Sequence, residues 1–325
     1  SLLTSRYEAE LELMVFASWH GVKLVNEQVN VFYPPREERV SHFRPGRDFI
    51  RISILNTILC VLALVYGLPL TVFRGLLAVL RTIYSLLFFI ITSMFVMTPL
   101  IYIYLSIGKI TEKKKYNLHR IIQFMARFVL IRHGIPGIKY SQSNTSNEDF
   151  SRPAVIICNH QSHLDLVPLL AASEKIIVLT ADWVWNNPVY KYAIRNAEFL
   201  PASSGVENIL PQLKSLVSRG YSIAVYPEGT RSLDCSIGRF HQGAFYWAQT
   251  LDIDVLPLIL YGSGHALPKH GRLMKRWPIH MEIDQRISPE SMVEMGETLR
   301  EQASSMRKYY KERYAQIANR IEQYV

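Results

Sequence analysis

Two stretches of this chain, residues 52–73 and 82–108, contain no Asp, Glu, Lys or Arg. Each is roughly 20 to 27 residues long, and as a helix rising 1.5 Å per residue either crosses a hydrocarbon core about 30 Å thick. Uncharged runs of this length are rare inside water-soluble proteins, so the pair predicts membrane segments rather than buried core helices. Gly67, Pro69 and Pro99 fall within them and are tolerated in such helices. Arg36, Arg39, Arg44, Arg47 and Arg51 precede the first run, and Lys109, Lys113, Lys114, Lys115 and Arg120 follow the second. The connection between them carries only Arg74 and Arg81. This distribution predicts a two-helix hairpin over residues 51–110, spanning or re-entrant, with both ends on the cytoplasmic face of the inner membrane.

Composition agrees with a membrane protein. Hydrophobic residues make up 49% of the 325 positions and charged residues 19%, while the formal net charge is +9. A basic balance suits nucleic acid or an anionic membrane face. No zinc-type Cys/His spacing and no basic-aromatic RNA-binding run is present, so the expected partner is the lipid surface and no nucleic acid. Cys60, Cys158 and Cys235 do not form a disulfide-like framework and are expected to be reduced. Residues 1–12 include Glu8, Glu10 and Glu12 without a basic leader region, which argues against a secretory signal. A start at Ser1 rather than Met suggests an excerpt of a longer chain.

Beyond the hairpin, Ile121, Ile122, Met125, Phe128 and Val129 recur at helical spacing from about Leu118, and the polar stretch 141–152 reads as a surface loop. Short apolar strand candidates follow at 154–158, 175–180, 222–226 and 255–261. Helix candidates lie around 164–172, 189–196, 206–218 and 244–250. Strands alternating with helices predict an α/β fold, a mostly parallel buried sheet flanked by helices. Ser288-Pro289 then opens a long charged helix over residues 288–325.

Chemistry gathers at two strand ends. The strand AVIIC runs into Asn159-His160-Gln161-Ser162-His163-Leu164-Asp165. On one helix His160 and Asp165 would sit about 140° apart, so they meet only if the chain turns after His160 and a helix then begins. In that geometry Asp165 holds one imidazole nitrogen while the other takes a proton from a hydroxyl or amine. A His and an Asp beside a helix start also fit a plain cap. The strand SIAVY ends in Pro227-Glu228-Gly229-Thr230-Arg231-Ser232, where N–H groups, hydroxyls and a guanidinium suit a phosphate, although a Pro-Gly turn needs no function.

Together, NHQSHLD and YPEGTRS resemble the two signature blocks of the glycerolipid acyltransferases, the family of the lysophosphatidate acyltransferases. VLPLI at Val255 to Ile259 matches a third feature, a hydrophobic strand with an embedded proline, and the resemblance covers roughly residues 118–286 as the acyltransferase domain. It implies that His160 is the general base and that Asp165 orients and charge-stabilises it. Glu228, Gly229, Thr230 and Arg231 line the acceptor pocket, with Arg231 contacting an anion. The implied donor is a thioester on coenzyme A or acyl carrier protein, with no metal and no other cofactor. The family usually carries, between these blocks, a Phe-Ile-Asp-Arg-like sequence whose Arg helps to hold the acceptor phosphate. Residues 197–205 keep Phe199 but contain no Arg. That departure leaves open an amine acceptor, and so an N-acyltransferase making an amino-acid lipid, beside a lysophospholipid. A non-catalytic membrane scaffold predicts instead an imidazole that Asp165 does not hold.

His160, His163 and Asp165 lack the spacing and further His of a hydrolase metal site. His241 is expected in packing, and Trp183 and Trp185 either border a membrane-facing acyl entrance or pack in the core. Residues 1–50 are similar to the tail of a family 2 glycosyltransferase without its nucleotide-binding portion, which implies a fusion of the two enzyme types.

Overall fold

In the computed structural model, residues 7–22, 24 and 44–323 are described. Most of the glycosyltransferase-like segment lies outside them. The chain divides into two units, residues 1–79 and 80–325.

In the first unit, helix α1 (Tyr7–Trp19) packs on α2 (Pro45–Leu62). Trp19 sits against Gly67 so closely that an added Cβ would lie 2.8 Å from its ring, and Arg74 Nη1 donates to Trp19 O at 2.6 Å.

The expected hairpin is corrected. Helix α2, a π-helical stretch (Ala63–Gly67), α3 (Leu68–Ile90), a second π stretch (Ile91–Met97) and α4 (Thr98–Ser106) follow one another without a non-helical residue. Arg74 and Arg81, read as the connection, lie inside α3. One helix among the described residues, Pro45–Ser106, is thus long and apolar enough to cross a membrane. Its two proline sites are absorbed by the π stretches. A helix-interior proline lacks an N–H and clashes with the carbonyl four residues earlier. For Pro69 and Pro99 those carbonyls belong to Val65 and Phe95, each within a π stretch where the bonding frame is already shifted.

The second unit holds the α/β fold. Helix α5 (Glu112–Arg127), capped by Thr111, leads to β1 (Tyr140–Asn144) and β2 (Val155–Cys158). Then come α6 (Leu166–Ala172), β3 (Ile176–Thr180), α7 (Asp182–Trp185), α8 (Lys191–Asn196), β4 (Leu200–Pro201), α9 (Leu210–Ser218) and β5 (Ser222–Val225). The chain closes with α10 (Gly243–Leu251), β6 (Val255–Tyr261), α11 (Ser263–Ala266), β7 (Ile279–Ile283), α12 (Pro289–Glu294) and α13 (Leu299–Glu322). Seven strands form one sheet in the order β1-β7-β6-β2-β5-β3-β4. Every pairing is parallel except β6 with β7. Strands β2, β5 and β6 are buried at every residue, which is why they read as unbroken apolar runs.

Pro257 interrupts the central strand β6, where a missing N–H is normally excluded. The hydroxyl of Tyr310 on α13 enters the gap, donating to Ile157 O at 2.6 Å and accepting from Leu258 N at 3.1 Å. The embedded proline is therefore tolerated because a helix side chain completes the ladder.

Two further expectations are corrected. The polar stretch 141–152 opens as β1, an edge strand whose Ser141 and Ser143 hydroxyls reach the buried His280 of β7 at 2.8 and 3.2 Å. The C-terminal helix is two helices, because Thr298 and Glu301 form a new capping box after Gly296. Ser288 caps only the shorter α12.

Helix α5 also buries His119 between the rings of Phe199 and Tyr221, at 5.8 and 5.1 Å. Burial lowers its pKa to about 4 from 6.5. The unfolded chain then binds a proton that the fold refuses, so stability falls as pH drops from about 6.5 towards 4. His119→Phe should remove about 2 kcal/mol of the stability difference between pH 7 and pH 5, measured by urea unfolding at both.

Candidate active site

The site lies at the carboxyl ends of β2 and β5, neighbours at the centre of the sheet, where open α/β sheets place their ligands. After Cys158 the chain leaves the sheet at Asn159, which is fully buried and ties the turn to β6. Its side chain donates to Leu260 O and accepts from Leu260 N, both at 2.8 Å. Ser162 then caps a single 3-10 turn, His163–Asp165, which runs into α6. This is the turn-then-helix geometry that His160 and Asp165 need in order to meet.

They do meet. His160 Nδ1 lies 2.8 Å from Asp165 Oδ2, and the same oxygen accepts from the backbone N–H groups of Gln161 (2.6 Å) and Ser162 (2.8 Å). Asp165 has no exposed surface, so these donors compensate a carboxylate taken out of water. Tyr226 stacks beneath the imidazole with centroids 4.1 Å apart. With Nδ1 engaged and the ring supported and partly exposed, Nε2 is the nitrogen left to accept a proton.

The second block is joined to the first by backbone. Ser232 N donates to His160 O at 2.8 Å, and His160 N donates to Glu228 Oε1 at 2.8 Å. Glu228 departs from the role read in the sequence. It is buried, and its Oε2 accepts from Gly238 N at 2.7 Å, so it braces the loop behind His160 instead of lining the acceptor side. Burial raises its pKa against these two donors. Gly229 has φ +66°, and an added Cβ would stand 3.3 Å from the His241 ring, so glycine is required there. Thr230 is exposed and Arg231 half-buried.

A cation absent from the sequence reading completes this rim. Lys269 Nζ donates to Thr230 Oγ1 at 3.0 Å, and Arg231 Nη1 reaches Lys269 O at 3.5 Å. Lys269 lies outside either motif, in a basic loop with Arg272, Lys275 and Arg276, and that run of charge was the signal that could have found it.

Other candidates sit at the edge. His163 is exposed, edge-on to Trp183 at 6.2 Å, and its pKa is lowered by burial and by the charge of Arg231. Trp183 is 62% exposed. Trp185 instead stacks under Arg195, which also donates to Asn186 Oδ1, so Arg195 does not replace the missing arginine. All three cysteines are unpaired.

Residues 137–261, from before β1 to the end of β6, match the family model described as Acyltransferase. Over those residues the chain is similar to the acyltransferase domain of the glycerolipid acyltransferases. A chloroplastic 1-acyl-sn-glycerol-3-phosphate acyltransferase of Arabidopsis thaliana is 30% identical over 141 residues, 39% of this chain and 40% of that protein. A probable enzyme of the same name from Mycoplasma pneumoniae is 25% identical over 214 residues, covering 59% and 77%. The chain thus spans well under half of the first plant and algal relatives it matches. The fold is shared with the crystal structure of the acyltransferase PlsC from Thermotoga maritima, at a TM-score of 0.61 and 18% identity, over 77% of this chain and 98% of that one.

Proposed function

We propose that this acyltransferase moves a fatty acyl group from a thioester donor to the hydroxyl of a lysophospholipid or a closely related lipid, at the cytoplasmic face of the inner membrane. The observation that carries the reading is the His160–Asp165 contact at 2.8 Å beside the Thr230, Arg231 and Lys269 rim. His160 Nε2 takes the acceptor's hydroxyl proton as its oxygen attacks the thioester carbonyl. Asp165 balances the imidazolium that forms. Collapse of the tetrahedral intermediate breaks the C–S bond, and the thiolate leaves with the proton returned by His160. A thiolate is a good leaving group, so positioning and a base suffice without a metal.

Arg231 and Lys269 favour a phosphate-bearing acceptor, although residues 197–205 hold no arginine. The pinned imidazole argues against a scaffold without catalysis. Names of relatives support the same acceptor class. The acceptor claim is tested by comparing lysophosphatidate with the monoacylglycerol of the same chain. A preference of about tenfold or more is expected, most of it lost in Arg231→Ala. Equal rates, or transfer only to an amine lipid, would overturn the phosphate assignment.

A further inference from the structure

Beside the catalytic loop, a pocket of about 390 Å³ is lined by Arg239, Arg300, Arg307 and His241, with no acidic side chain in its wall. Four of its residues come from the segment after the second block, within the matched range, and four from the first turns of α13, which lies beyond it. Among the described residues, Arg307 bonds the backbone carbonyl of Ile237 and no carboxylate. Among the described residues, Arg239 and Arg300 have no carboxylate partner, and the nearby Glu301 is committed to capping Thr298. Three guanidinium groups around one concavity repel each other, and such an arrangement is stabilised by an anion that they share. The pocket adjoins the reaction centre. Gly238, next to Arg239, holds the Glu228 carboxylate whose other oxygen holds His160 N, and His241 lies against Gly229.

We infer that this pocket binds the phosphates of coenzyme A, so that the donor's nucleotide end is anchored here while its flexible pantetheine arm delivers the thioester to His160. The charge count selects this occupant. The nucleotide end of coenzyme A carries a diphosphate and a further phosphate monoester, matched by three arginines in a cavity, whereas the prosthetic group of a carrier protein offers one singly charged phosphodiester. The inference rests on the acyltransferase reading for its meaning, but its test does not depend on turnover.

Binding of coenzyme A to the detergent-purified chain is measured by calorimetry, with 3′-dephospho-coenzyme A and holo acyl carrier protein as parallel arms. Arg239→Glu and Arg300→Glu, whose side chains hold no other group among the described residues, should each weaken coenzyme A binding by about tenfold or more. Lys214→Glu, exposed on α9, should change it by less than about twofold. Loss of the 3′-phosphate should weaken binding to the native chain and matter much less in the arginine variants. Equal coenzyme A affinity in the native chain and both arginine variants would overturn the pocket, as would carrier-protein binding that alone responds to them. Charge-dependent binding without acyl transfer to any lipid would instead sink the enzymatic reading and leave the pocket standing.

Discussion

His160→Ala is expected to lower kcat for acyl transfer by about 10³-fold, within the 10² to 10⁴ range of a removed general base. Its effect on the fold should be modest, because the bonds of this residue to the second block are made by its backbone and Asp165 keeps the Gln161 and Ser162 N–H donors. The His160 N–H holds Glu228 and its carbonyl accepts from Ser232 N, and alanine keeps both. The side chain is 23% exposed, so its removal leaves no sealed cavity. Thermal unfolding should therefore move by only a few degrees, which separates lost chemistry from lost fold.

Asp165→Asn should act on the same step, with kcat down by on the order of 10²- to 10³-fold and the acceptor KM little changed. An asparagine oxygen can still accept from Gln161 N and Ser162 N, so the turn persists. What is lost is the negative charge opposite the imidazolium. Asp165→Ala is a harsher change, since it strands those two buried N–H groups, and should cost about 2 to 4 kcal/mol of stability by denaturant titration. A kcat loss in Asp165→Asn without that destabilisation assigns Asp165 an electrostatic role as well as a structural one.

The His160–Asp165 contact was legible because its signals are local. Fully buried strands appear as continuous apolar runs, and a Ser followed three residues later by an acid, before an apolar stretch, marks a helix start. What Asn159 does was not legible, because its partner, Leu260, is 101 residues away on a neighbouring strand. The basic run around Lys269 was visible, but its contact with Thr230, 39 residues away, is made only by the fold. Strand β7 was hidden by its own polarity. Its His280 and Glu282 interrupt the apolar pattern, yet both are buried and satisfied by Arg320 of α13 and the serines of β1. The long apolar helix shows the opposite failure. Arg74 and Arg81 look like a break in hydropathy, but neither interrupts backbone hydrogen bonding, so the helix continues through them.

Whether His160 and Asp165 form the base of an acyl transfer is tested by following label from a radioactive acyl thioester into lysophosphatidate with the detergent-purified chain. Labelled diacyl product is expected from the native protein, with a loss of on the order of 10³-fold in folded His160→Ala. Labelled product formed at the native rate by that variant would contradict that role.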